Sequence, residues 1–224
     1  MAWTYEATKA GYGNLWRTIQ VKSKDADRFA KIIIKNEARY KAIEAKTGVP
    51  WFFVGVLHMR ESSCDFAGVL HNGQKIIGRN KKTTIVPKGR GPFSSWEEAA
   101  VDALKLKGLE KIKAWPIERM GYESERYNGM GYANKGINSP YLWGGSNHQQ
   151  PGKYIADHVW SATAMDAQMG TMTVIKRIVE LRPDAMKGKP AFVSPPPDIE
   201  PVHRGAGLFA SMFAAIAALF KRSA

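Results

Sequence analysis

Hydrophobic and polar positions follow a helical period over most of residues 1–182. Residues 14–21 read as a short opening helix. Over residues 25–46 the apolar side chains Phe29, Ile32, Ile33, Ala38, Tyr40 and Ile43 form one face of a long amphipathic helix, and Gly48 is its stop signal. Pro50 stands at the next helix start. Residues 51–57 are nearly all apolar, which predicts a central helix buried on every side and running into His58-Met59-Arg60-Glu61-Ser62-Ser63. Two β-like runs, residues 74–77 and 83–86, flank Gly78-Arg79-Asn80-Lys81-Lys82 and predict a β-hairpin. A Pro/Gly loop over residues 87–92 precedes Ser94-Ser95-Trp96-Glu97-Glu98, which spells a capping box for a helix reaching about Lys107. Residues 117–127 and 163–181 are further helices. The stretch between them, residues 128–160, is rich in Gly, Asn, Tyr and Trp and lacks a period. The expectation is an α+β, mainly helical domain with a small hairpin.

The pattern changes after Arg182. Residues 183–203 hold six of the twelve prolines and read as a Pro-rich linker, stiffened at Pro195-Pro196-Pro197. Residues 205–220 carry no charge and lie between Arg204 and Lys221-Arg222. As a helix they would span roughly 24 Å, against a hydrocarbon core of ~30 Å. Gly207, Ser211 and Ala215 recur four apart, the spacing that lets helices approach closely in lipid. Residues 204–224 are therefore expected to be an apolar tail helix with basic ends, contacting a membrane or lipopolysaccharide. Docking on the globular domain and oligomerisation are the other readings.

Composition narrows the class. The 224 residues are 44% hydrophobic, 24% charged and 11% aromatic, which excludes a disordered chain or a collagen-like repeat. The net charge of +13 points to a polyanionic partner such as nucleic acid, anionic lipid or cell envelope. Residues 183–224 hold five basic and three acidic side chains, so +11 of that charge belongs to residues 1–182. The single Cys64 forms no internal disulfide. The first six residues, Met1-Ala2-Trp3-Thr4-Tyr5-Glu6, have neither a basic region nor an apolar run. The expectation is synthesis in the cytoplasm without an ordinary signal peptide.

Glu61 is the candidate for chemistry. A carboxyl emerging from an apolar helix has its charged form destabilised, so it holds a proton near neutral pH and can deliver it to a leaving oxygen. The plain alternative is a helix-terminal Glu paired with Arg60. Downstream, Tyr127, Tyr132, Tyr141 and Trp143 offer flat apolar faces, and Asn128, Asn138, Ser139, Asn147 and His148 offer donors and acceptors. Such a mixture suits sugar rings, and long aperiodic loops tend to carry function.

Four segments together resemble phage and prophage endolysins. They are His58-Met59-Arg60-Glu61-Ser62-Ser63, Leu70-His71-Asn72-Gly73, Trp96-Glu97-Glu98-Ala99, and Tyr127-Asn128-Gly129 through Ser139-Pro140-Tyr141-Leu142-Trp143. The resemblance, over about residues 30–182, is to the lysozyme-like superfamily of peptidoglycan muramidases and lytic transglycosylases. It implies a lysozyme-like domain, residues 1–182, in which Glu61 is the catalytic acid and a hairpin walls a glycan cleft. It also implies that His71 and Asn72 join the substrate-binding residues Tyr127, Asn128, Tyr132, Ser139, Tyr141, Trp143, Asn147 and His148. Bacterial peptidoglycan is then the partner and the cell wall or periplasm the place of action, with no cofactor and no metal.

One departure stands out. Two-carboxylate glycosidases use a second Asp or Glu, yet residues 66–96 contain no acidic residue. Asp65 at i+4 from Glu61, and Glu97 and Glu98 at a helix N-terminus, are poorly suited to that part. Either a water held by polar groups attacks, or the substrate supplies its own hydroxyl and leaves an anhydro-sugar end. Hydrolysis and transglycosylation both remain open. Lys75, Arg79, Lys81, Lys82, Lys88 and Arg90 fit attraction to wall carboxylates, or simply a solvated loop tip. A Cys64 nucleophile lacks a partner at any recognisable spacing, and His58 with Glu61 lacks the second His of a zinc motif. The non-enzyme alternative is a basic envelope- or nucleic-acid-binding module; no specific nucleic-acid motif supports it.

Overall fold

The computed structural model describes residues 3–156 and 159–187. The tail helix expected over 204–224, and all but the first five residues of the expected linker, lie outside the described residues. The described fold is α+β and mainly helical. Among the described residues no helix is long and apolar enough to cross a membrane.

Helix α4 (Trp51–Ser62) is the axis of the fold. Every residue from Trp51 to Met59 is buried, as an all-apolar helix requires. It packs against α2 (Lys24–Lys35), α3 (Glu37–Thr47) and α9 (Thr171–Leu181). Gly55 lets α2 come close: a Cβ there would stand 2.4 Å from Ile33 Cγ2. The helix ends at Ser63, whose left-handed backbone (φ 55) turns its N–H back onto the His58 and Met59 carbonyls. Its last turn, bearing Glu61, therefore stops at the edge of the core.

The single helix expected over residues 25–46 is two helices. Asn36 breaks it, because its side-chain Nδ2 donates to the Ile32 carbonyl at 2.9 Å and competes with the helical ladder. Gly48 ends α3 in the left-handed conformation (φ 72), as expected. The opening helix, α1 (Tyr5–Thr18), begins well before residue 14, capped by Thr4, and packs on α6 (Ile117–Asn128). Helix α5 (Trp96–Leu106) starts at the expected capping box. Ser95 accepts from the Glu98 N–H, and the Glu98 carboxylate accepts from Ser94 N–H and Oγ.

The hairpin expected over residues 74–86 is absent; side chains take the place of ladder bonds. Gln74 Oε1 accepts from the Thr84 and Ile85 N–H groups at 2.9 and 3.2 Å, and Asn72 Nδ2 reaches the Ile85 and Val86 carbonyls. Thr83 closes residues 83–90 on themselves through N–H to the Arg90 carbonyl and through its own carbonyl to Gly89. The antiparallel hairpin lies downstream, β1 (Lys153–Ala156) with β2 (Val159–Ser161), pairing Tyr154 with Trp160. Helix α9 begins at Thr171, not at residue 163, and residues 163–170 are irregular. Two four-residue helices, α7 (Gly131–Asn134) and α8 (Pro140–Trp143), interrupt the aperiodic stretch. Pro183–Met186, assigned to the linker by composition, is a 3-10 turn packed on α9 with Ala185 buried.

Candidate active site

Glu61 is partly exposed as a residue, but its carboxyl is enclosed. The Tyr141 hydroxyl donates to Oε1 at 2.8 Å. Burial pushes the Glu61 pKa above the ordinary glutamate range, opposed by the Tyr141 hydrogen bond and by the charges of Arg60 and Lys107. Burial wins, so the carboxyl holds its proton further toward neutral pH than a free glutamate does. The chain crosses directly over this turn at Gly73, where φ is +75 and a Cβ would meet the Glu61 carbonyl oxygen at 2.2 Å. Only glycine permits that approach.

Tyr127, at the end of α6, is buried and donates to the Leu70 carbonyl at 2.7 Å, fastening residues 70–73 above the site. Lys107 reaches in from the end of α5, donating to the Tyr127 carbonyl at 3.1 Å with its ammonium 5.0 Å from the ring centroid. Burial lowers the Lys107 pKa, and the nearby Glu61 works against that shift.

Arg60, the residue before Glu61 on α4, lines a cavity of about 400 Å³ together with Asn128, Tyr132, Lys153, Tyr154 and Asp166; Glu61 itself is not among the lining residues. Tyr141 touches both halves of the site, since its ring faces the Arg60 guanidinium at 4.6 Å. Asp166 was not among the residues expected here. Its Oδ2 accepts from Arg60 Nη2 at 3.2 Å, and its Oδ1 accepts from Lys153 Nζ and the Gln168 N–H, each at 3.2 Å. Burial alone would push this carboxyl up, but Arg60, the Gln168 N–H and Lys153 together hold it below the usual aspartate range. The two carboxyls are thus driven in opposite directions, Glu61 toward the acid and Asp166 toward the carboxylate.

The expected site residues divide. Tyr127 and Tyr141 converge on Glu61, and Asn128 and Tyr132 line the cavity. His71, Asn72, Ser139, Trp143, Asn147 and His148 do not line it. His71 is buried, stacks on Phe93, and bonds Asp102 through Nε2 at 2.7 Å, tying residues 70–73 to α5. Asn72 anchors the backbone at Ile85 and Val86. Ser139 is buried, its carbonyl accepting from the Leu142 and Trp143 N–H groups. Trp143 is core. Asn147 bridges the Gln20 N–H and the Thr18 carbonyl, and His148 Nε2 meets the Leu15 carbonyl at 2.9 Å, so both fasten their loop to the end of α1. Polar side chains in an aperiodic loop are here spent largely on backbone groups that lack a ladder.

No family model, no curated protein and no solved structure matches the chain. Its chemistry rests on the groups themselves. Asp65 is taken by Lys75 at 2.7 Å and the Ala67 N–H, Glu97 by Arg39 at 2.6 Å, and Glu98 by Ser94. None of them is placed to act with Glu61. Burial pushes the Cys64 thiol up to about 12, which leaves it protonated at neutral pH. His58 is fully buried, with Nδ1 2.9 Å from the Tyr40 hydroxyl and Nε2 3.0 Å from the Asp65 carbonyl. Burial lowers its pKa to about 4, so it is neutral, donating from Nε2 and accepting at Nδ1. Among the described residues no group of three or more His, Cys, Asp or Glu could hold a metal ion.

Proposed function

We propose that the chain is a peptidoglycan-cleaving endolysin in which Glu61 is the general acid. The observation that carries this reading is a carboxyl whose pKa burial raises, oriented by the Tyr141 hydroxyl, with the Tyr141 ring against Arg60, a wall residue of a cavity that aromatic and amide side chains also line. Glu61 gives its proton to the glycosidic oxygen between MurNAc and GlcNAc as the C1–O bond breaks. The oxocarbenium-like carbon is then captured by an oxygen nucleophile, whose proton returns to Glu61. Arg60 and Lys107 favour the carboxylate that the first step leaves behind.

Capture by the substrate's own C6 hydroxyl, leaving an anhydro end, is the second reading. One observation favours it: both oxygens of Asp166, the carboxylate that lines the cavity, are engaged by Arg60, Lys153 and the Gln168 N–H. An Asp so engaged is a poor base for water. In either reading residues 204–224 supply contact with a membrane or lipopolysaccharide, and the enzyme acts in the wall of the host. Mass spectrometry of fragments released from purified peptidoglycan tests the proposal. Reducing or anhydro MurNAc ends support it and separate the two chemistries; intact glycan strands contradict it.

A further inference from the structure

Residues 79–88 carry charge and apolar surface that neither the core nor the Glu61 site uses. Residues 66–96 hold no acidic side chain. Lys75 and Arg90 flank the segment and are paired, with Asp65 and Asp102. Arg79, Lys81, Lys82 and Lys88 are exposed and have no acidic partner among the described residues. Among them stand Ile85 and Val86, 53% and 79% exposed. One exposed aliphatic side chain is ordinary; here two adjoin in a loop that is otherwise cationic. The backbone of this tip is satisfied from beneath. Gln74 Oε1 accepts from the Thr84 and Ile85 N–H groups, and Asn72 Nδ2 donates to the Ile85 and Val86 carbonyls. Thr83 Oγ1 donates to the Pro87 carbonyl, and the Thr83 carbonyl accepts from the Gly89 N–H at 2.9 Å. The two limbs are thereby drawn together, so that Lys82 and Lys88 border the same tip. A loop whose backbone groups are already occupied by the protein can leave water at far lower cost than one that water alone satisfies.

We infer that residues 79–88 are a docking loop for an anionic phospholipid bilayer. Ile85 and Val86 enter the headgroup boundary, and Arg79, Lys81, Lys82 and Lys88 meet the lipid phosphates. A bilayer takes both halves of the loop at once. A nucleic acid or a wall polymer would pair the cations and leave the two aliphatic side chains in water. The loop also has no aromatic ring on which a base or a sugar could stack. The inference is independent of the chemistry at Glu61. It gives the folded domain a lipid contact of its own, apart from the one proposed for residues 204–224.

Cys64, the sole cysteine, is buried, so Val86→Cys gives the full chain one accessible thiol for an environment-sensitive fluorophore. Ala10→Cys, exposed on α1, carries the same label as a reference. The probes are vesicles of phosphatidylcholine alone and of phosphatidylcholine with phosphatidylglycerol, each also prepared with a spin-labelled lipid as quencher. The Val86 label is expected to shift to the blue and be quenched on the phosphatidylglycerol vesicles only, while the Ala10 label stays as in water. Adding Lys81→Gln with Lys82→Gln to the Val86→Cys chain should raise the lipid concentration for half-maximal shift about tenfold or more, the scale of two cations at an anionic surface. Lys81→Arg with Lys82→Arg should leave it unchanged, and thermal unfolding should show every variant folded. A Val86 label that stays aqueous on every vesicle, that responds equally to neutral lipid, that moves no more than the Ala10 label, or that is unaffected by Lys81→Gln with Lys82→Gln would overturn the docking loop. So would a shift produced by DNA or purified peptidoglycan and not by vesicles.

Discussion

The hydroxyl of Tyr141 stands 2.8 Å from Glu61 Oε1, joining a residue on the four-residue helix α8 to one on the last turn of the central helix, 80 positions earlier in the chain. That hydrogen bond favours the ionised carboxyl, whereas burial favours the neutral one. Tyr141→Phe should therefore raise the Glu61 pKa further and move the alkaline limb of the pH–rate profile upward. The rate at the optimum should also drop about tenfold as the carboxyl loses its fixed orientation, in line with one hydrogen bond to a charged group. A pH profile of glycan cleavage by wild type and variant reads both effects.

His58 makes stability sensitive to acid. Its folded pKa of about 4 lies below the ordinary histidine value of 6.5. Between those values the unfolded chain binds a proton that the folded chain refuses, so stability is complete above pH 6.5 and falls as pH drops toward 4. The expected loss is about 3 kcal/mol. Denaturant unfolding across this window should show that slope in the wild type. His58→Gln should be less stable at pH 7 but lack this share of the slope.

Gly73 and Gly78 share a left-handed backbone but differ in surroundings. At Gly78 (φ +67) a Cβ would meet nothing, whereas at Gly73 it would strike the Glu61 carbonyl oxygen. Gly78→Ala should cost about 1 kcal/mol. Gly73→Ala should cost at least ~2–3 kcal/mol more, as a backbone clash with no flexible partner to yield, and should displace Glu61. Paired unfolding curves and cleavage rates check the contrast.

Removal of residues 204–224 separates the tail from the chemistry. The truncated chain should cleave purified peptidoglycan at the full-length rate and lyse intact cells more slowly. Equal killing of intact cells by both forms would remove the tail from the account.

The central helix is legible because nine consecutive buried residues leave no polar face, an arrangement that needs no partner to be recognised. The α5 cap was legible because Ser94, Ser95 and Glu98 act within four residues of one another. Asp166 carried no local signal: its role is set by Arg60, 106 positions away. The hairpin was misplaced because residues 74–86 have strand-like composition, while the Gln74 and Asn72 side chains take the backbone bonds a partner strand would have made. His71, Asn147 and His148 looked like ligand-binding polar groups for the same reason. Their partners, Asp102, Thr18 and Leu15, are distant in sequence.

Release of glycan fragments from purified peptidoglycan by wild type and Glu61→Gln tests the central claim most directly. The variant should stay folded. The raised pKa means that Glu61 contributes stability present below its unfolded pKa and lost as pH rises through the folded one. Removing the ionisable group should therefore leave the neutral-pH unfolding midpoint at or above that of the wild type. Fragment release should fall by about 10²- to 10⁴-fold, the usual worth of a general acid. A folded Glu61→Gln chain that releases fragments at the wild-type rate would contradict the account.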